Sequence, residues 1–125
     1  MIEFYLWINA VIYLLFALWC TMKKKQTSLA SGYLSISNSG WSEYLVIYGG
    51  LQFGLGLFFA YLALNTTLYY TGLIFALLLY VPIVIYRVFT IYQFRPVKRT
   101  TLIIAGIEIV LLLGAAISFI TLSIK

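Results

Sequence analysis

The chain has 125 residues, of which 64% are hydrophobic and only 9% charged, and its formal net charge is +5. An average soluble domain is about half apolar and about a quarter charged, so this composition excludes both an ordinary soluble domain and a disordered chain. The chain has no histidine and one cysteine, Cys20, which excludes an imidazole base, an intramolecular disulfide and a cysteine-rich metal site. The length predicts a single domain over residues 1–125, and we expect no metal and no cofactor.

Four apolar runs are each long enough to cross a bilayer as a helix, which takes about 20 residues. The predicted spans cover about residues 4–22, 44–64, 68–92 and 101–124. Continuous apolar runs are not the short alternating segments of a barrel, and helices satisfy their own backbone hydrogen bonds in lipid. The predicted fold class is therefore all-α, an integral membrane four-helix bundle.

The first span ends at three lysines, Lys23, Lys24 and Lys25. A cleaved signal peptide would carry positive charge before its apolar stretch and small residues at a cleavage site. Here Glu3 comes first, and the residues before the lysines, Trp19-Cys20-Thr21-Met22, do not resemble such a site. We expect this span to remain in the mature protein.

Residues 26–42 form the longest predicted loop, which is rich in serine and glycine. It is either a flexible linker or a segment lying among the lipid headgroups and anchored by Tyr33 and Trp41. Ser39 or Ser42 is expected to cap the helix that follows.

Glycines recur in the second and fourth spans, where they allow helices to approach closely. We expect them to seat helices against each other within the chain, and a homodimer seam is the alternative. The residues predicted to serve this packing are Gly50, Gly54, Gly56, Gly106 and Gly114.

Two ionisable residues fall inside the spans, Arg87 in the third and Glu108 in the fourth. Each lies about ten residues from the turn that joins the two spans, so antiparallel helices bring them to the same depth. We expect an ion pair facing the bundle interior. The pair serves either as a structural clamp or as part of a functional site. The alternative to pairing is that Arg87 extends its guanidinium to the membrane interface.

Tyr48 and Gln52 are four residues apart on one face of the second span, near the same depth. Together with Arg87 and Glu108 they are predicted to form one polar layer. Such a layer either binds a headgroup or small solute, or is a closed hydrogen-bonded network that fixes the helix register. Asn9 of the first span is expected to bond a neighbouring helix.

The basic residues predict the orientation, because lysine and arginine are retained on the cytoplasmic side. Six of the eight lie in the first and third loops, so both termini are predicted to be extracytoplasmic. These charges adjoin membrane ends and do not form a soluble binding face, so we expect membrane lipid and not nucleic acid as the partner. The six are Lys23, Lys24, Lys25, Arg95, Lys98 and Arg99.

The run Tyr48-Gly49-Gly50-Leu51-Gln52-x-Gly54-Leu55-Gly56, followed by Arg87 and Glu108, resembles a family of small bacterial four-span membrane proteins known as a domain of unknown function (the DUF4345 type). The chain is also loosely similar to the broader DoxX-like group. The resemblance covers most of the chain and implies a four-span architecture in a bacterial inner membrane. It implies no activity.

Three functions are compatible with these features. The first is binding of a lipid or small amphipathic molecule in the polar layer. The second is a small proton-coupled transporter in which Glu108 carries the proton, and the third is an accessory subunit of a larger membrane complex. We do not expect an enzyme, because a lone carboxylate lacks the second positioned group that catalysis usually needs.

Overall fold

The computed structural model describes residues 1–124, so Lys125, the last residue of the predicted domain, lies outside the described residues. Within them the chain is helical and has no strand. A π-helical stretch, Val46–Leu51, joins α3 to α4, and a single 3-10 turn, Thr66–Leu68, precedes α5. The helices are α1 Ile2–Met22, α2 Lys24–Ala30, α3 Asn38–Leu45, α4 Gln52–Leu64, α5 Tyr69–Gln93 and α6 Arg99–Ser123.

Four helical segments are long and apolar enough to cross a membrane. Only 11–33% of the residues in their most apolar windows are buried inside the protein, so most of this apolar surface faces outward. In water such exposure would be strongly unfavourable, whereas the hydrocarbon of a bilayer accommodates it. The chain is therefore a polytopic membrane protein with the predicted all-α four-helix fold. The spanning segments are Ile2–Met22, Asn38–Leu64, Thr66–Gln93 and Arg99–Ser123.

The second spanning helix begins before its apolar stretch. Ser37 is its N-cap, and the Ser37 hydroxyl accepts a hydrogen bond from the Gly40 backbone N–H at 3.1 Å. The prediction that Ser39 or Ser42 caps this helix is therefore wrong. Hydropathy marks where a chain enters lipid, and a helix can extend into the polar region beyond that point. Part of the predicted loop is also helical, because α2 runs from Lys24 to Ala30.

The four long helices associate as two antiparallel pairs, α1 with α4 and α5 with α6, and contacts between the pairs are much sparser. Gly56 makes the first pair possible, since a Cβ built there would lie 2.7 Å from Cγ of Leu14. Gly114 of α6 meets Tyr5 of α1 in a similar way, at 2.9 Å from the ring. Both glycines serve the close helix contact predicted for them.

Three of the predicted packing glycines do not contact another helix of this chain. Among residues 1–124, a Cβ built on Gly50, Gly54 or Gly106 has no atom of another segment within 4 Å, and all three are exposed. The prediction of close packing within the chain is wrong for these residues. Only one stripe of a helix meets its partner. Gly50 and Gly54 lie on other faces of the second spanning helix than Gly56 does, and Gly106 faces outward from α6.

The apolar core lies in the half of the bundle that contains the Asn65–Thr67 turn. It includes Leu6 and Ala10 of α1, Phe59 and Leu62 of α4 and Leu73 of α5, all essentially inaccessible. The buried residues of α5 lie between Gly72 and Tyr80, and the helix buries none after that point. The two helix pairs are therefore packed together at this end and separate towards the basic end.

Candidate binding cavity between the helix pairs

A cavity of about 440 Å³ occupies the space between the separated helix pairs. Residues of α1, of the π-helical stretch and of α4, α5 and α6 line it, so every long helix contributes a wall. Each helix places residues three or four positions apart towards the cavity, as one helical face requires. The apolar part of the lining includes Ile12, Phe16, Leu55, Leu79, Ile83 and Ile104.

A chain of hydrogen bonds forms the closed end of the cavity. Tyr80 of α5, which is 1% exposed, donates its hydroxyl proton to Oδ1 of Asn9 in α1. Asn9 donates from Nδ2 to the Tyr5 carbonyl at 2.8 Å, and the Tyr5 hydroxyl donates to the Leu111 carbonyl of α6 at 2.9 Å. The prediction that Asn9 bonds a neighbouring helix is confirmed, and the chain ties α1 to both helices of the other pair.

Arg87 and Glu108 meet at the cavity as a bidentate ion pair. Arg87 donates from Nε to Oε2 at 2.8 Å and from Nη2 to Oε1 at 2.7 Å. The predicted contact between the two is present, since residues equidistant from a short turn face each other across antiparallel helices. Both side chains line the cavity, and they are 32% and 15% exposed, respectively. A bidentate pair of this kind adds geometric specificity to the attraction between the two charges.

Tyr48 and Gln52 line the same cavity but do not bond the ion pair. The Tyr48 hydroxyl pairs with that of Tyr33 at 3.3 Å, and Gln52 donates from Nε2 to the Ile47 carbonyl at 3.3 Å. The four predicted polar-layer residues thus surround one space without forming one hydrogen-bonded network. That these residues bind a ligand stays a prediction.

Four polar side chains of the lining were not among the predicted polar-layer residues: Tyr13, Ser31, Tyr80 and Thr101. Thr101 stands seven residues before Glu108, two helical turns along the same face, and this spacing is a signal that could have found it. Ser31 carries no comparable signal. It follows α2, which becomes fixed at the cavity only when the chain folds.

The start of α6 fixes α2 across the basic end of the bundle. Lys98 donates from Nζ to the Leu29 carbonyl at 2.8 Å, and the Thr100 hydroxyl donates to the Ala30 carbonyl. The last carbonyls of a helix lack an intrahelical donor; the Leu29 carbonyl accepts from the Gly32 backbone N–H at 3.1 Å as well as from Lys98. The bonds from Lys98 and Thr100 also bring Ser31 beside the first turn of α6, so the cavity has polar groups at this end.

Aromatic side chains cluster on the outer side of Tyr48. Tyr44 stacks on Tyr48 with ring centroids 4.5 Å apart, and Tyr33 meets Tyr44 edge-on at 5.7 Å. The Tyr44 hydroxyl donates to Thr27 of α2 at 2.8 Å, and Lys24 lies 5.3 Å from the Trp41 ring. The cluster holds the connection between α2 and α3 against the bundle.

No family model, curated protein or solved structure matches the chain. The resemblance to the DUF4345-type and DoxX-like proteins therefore stays a prediction. The chemistry of the cavity is the basis for assigning a function.

Proposed function

We propose that the protein binds a lipid or another small amphipathic molecule, without catalysis, in the cavity between its helix pairs. The observation that carries this proposal is the cavity itself, which has apolar walls and an ion pair, Arg87–Glu108, on its surface. This pair adjoins a space of about 440 Å³, within the range of roughly 300–1,000 Å³ typical of small-molecule sites.

The distribution of polar groups supports an amphipathic ligand. Apolar residues such as Leu55 and Ile83 surround most of the space, and the polar groups are few and converge from different helices. Binding sites for small molecules commonly combine an apolar lining with a few placed polar groups. An alkyl chain would be accommodated by the walls, and its headgroup by Arg87, Glu108 and their neighbours.

We place the protein in a bacterial inner membrane with the basic loops in the cytoplasm and both termini outside. The positive-inside rule supports this orientation, and the resemblance to small bacterial four-span proteins supports the setting. The cavity would then open towards the cytoplasmic half of the bilayer, where anionic headgroups attract Lys23, Lys24 and Lys25.

Native mass spectrometry in a mild detergent, combined with analysis of co-purified lipids, tests the proposal. Ile104→Trp places a larger side chain in the cavity, whereas Ile103→Trp adds the same bulk on the exposed face of α6. We expect the wild type and Ile103→Trp to retain ligand, and Ile104→Trp to lose it. Equal retention in the two variants, or no ligand in the wild type under any mild condition, would contradict binding in this cavity.

A second experiment separates binding from transport. It is needed because a transporter would also have a cavity that reaches a carboxylate. Protein in liposomes is assayed for proton flux that depends on an added amphiphile. We expect none, because Arg87 holds both oxygens of Glu108. Flux that disappears in Glu108→Gln would replace the binding function with proton-coupled transport.

A further inference from the structure

We infer that the cavity selects an amphiphile whose headgroup is an oxyanion, a carboxylate or a phosphate, bound by the edge of the Arg87 guanidinium that Glu108 leaves free. This inference rests on the proposed binding function and names the headgroup class for that same cavity. Three features carry it: the geometry of the ion pair, the remaining polar groups of the lining, and the charge around the cavity.

The ion pair occupies only one edge of the guanidinium. A guanidinium has five N–H donors in a planar fork and can bind a carboxylate or phosphate through two of them at once. Glu108 takes the edge formed by Nε and Nη2. Within residues 1–124 it is the only partner of this guanidinium, so the edge formed by Nη1 and the second Nη2 hydrogen is available. The Arg87 side chain is also twice as exposed as that of Glu108, 32% against 15%.

Other polar groups of the lining can also donate to an anion. The hydroxyls of Ser31 and Thr101 line the cavity, and each can donate one hydrogen bond. Glu108 is the single acidic residue of the lining, and its two oxygens already accept from Arg87. An ionised carboxylate or phosphate accepts hydrogen bonds, so Arg87 and these two hydroxyls can all donate to it.

The charge near the cavity also favours an anion. Arg99 stands two residues before Thr101, and Lys98 is held against α2 by its bond to the Leu29 carbonyl. The three lysines at the start of α2, Lys23 to Lys25, lie at the same end of the bundle, and Glu43 is the one acidic residue of the adjoining loop and helix. Clustered charge of one sign raises the local concentration of ligands of the other. An ammonium headgroup would meet repulsion here and find Glu108 already paired.

The test compares four dodecyl probes that share one alkyl chain and differ only in the headgroup: dodecanoate, dodecyl phosphate, dodecyltrimethylammonium and dodecanol. Binding to the full chain in a neutral detergent is followed by native mass spectrometry and by the shift in thermal unfolding. We expect the two oxyanions to bind about tenfold more tightly than the other two. Preference for the carboxylate points to a fatty acid, and preference for the phosphate to a phospholipid headgroup.

The outcomes separate the inference from the proposed function. If dodecanol or the ammonium probe binds as tightly as the oxyanions, the headgroup assignment is overturned while binding in the cavity stands. If none of the four probes binds to the folded wild type, the proposed function fails as well.

Two variants locate the headgroup. Arg87→Lys keeps the positive charge but lacks a second edge, so we expect the roughly tenfold preference for oxyanions to disappear while dodecanol binding stays unchanged. Thr101→Val removes one donor without touching the ion pair and should weaken oxyanion binding about threefold. Thr67→Val, at the opposite end of the bundle, is its matched control and should bind as the wild type does. An unchanged preference in both Arg87→Lys and Thr101→Val would overturn the assignment.

Discussion

At the scale of the residue, the Arg87–Glu108 pair combines two opposing effects. Each charge is costly inside a membrane bundle, and each is stabilised by the other through two hydrogen bonds of 2.7 and 2.8 Å. Removing one partner leaves the other charge uncompensated, which costs more than removing both. The pair is therefore energetically coupled even if its net contribution to folding is small.

Single and double substitutions measure this coupling. We expect Arg87→Gln and Glu108→Gln each to lower the free energy of unfolding by about 1–3 kcal/mol, below the ~3–5 kcal/mol of a dry pair because the side chains line a cavity. The double variant should lose less than the sum of the two. Unfolding by sodium dodecyl sulfate in mixed micelles provides the measurement. Strictly additive losses would show that the two side chains do not interact.

At the scale of the element, the packing of α1 against α4 depends on one stripe of small residues. Gly56 and Gly49 belong to it, since a Cβ at either would lie within 2.8 Å of an α1 side-chain atom, Leu14 and Thr21 respectively. Gly50 and Gly54 occur in the same sequence run but have open space around them. Two glycines of one helix can thus have opposite effects when substituted.

Alanine substitutions distinguish the two kinds of glycine. Gly56→Ala places a methyl group against both the side chain and the backbone nitrogen of Leu14, and we expect a loss of about 1–3 kcal/mol from overpacking. Gly54→Ala should be neutral or stabilising by up to about 1 kcal/mol, because alanine is the better helix former. Thermal unfolding in detergent compares them. A clear loss of stability or of oligomeric mass in Gly54→Ala would instead favour the homodimer seam.

At the scale of the whole molecule, the two helix pairs meet at one end and separate at the other. The end with the buried core contains the Asn65–Thr67 turn, and the Asn9–Tyr80 hydrogen bond closes the cavity from that side. The cavity therefore lies in the half that contains the basic loops. Orientation in the membrane decides which leaflet this half faces.

Cysteine labelling tests the predicted orientation. In a Cys20→Ala background, Thr66→Cys and Gln93→Cys place a thiol at the two ends of the third spanning segment, beside the second and third connections, respectively. We expect an impermeant maleimide to label Thr66→Cys in intact cells and to label Gln93→Cys only after the membrane is permeabilised, because basic loops stay cytoplasmic. The reverse pattern would show that the termini and the Asn65–Thr67 turn face inward.

Much of the fold followed from local properties of the sequence. The spans were predictable because apolar length and helical rise set how a chain crosses a bilayer. The Arg87–Glu108 contact was predictable because both residues lie about equally far from one turn. Helix ends were less predictable, since α3 begins among polar residues at Asn38 and hydropathy carries no information there.

The sequence by itself determined four apolar helices, the depth at which Arg87 and Glu108 meet, and the helix face that Tyr48 and Gln52 share. Each of these depends on residues close together along the chain. Only the tertiary structure decided that the helices associate in two pairs, that a cavity remains between them, and which glycines lie at contacts. Those features depend on how side chains from distant segments fit together, and no local pattern specifies that fit.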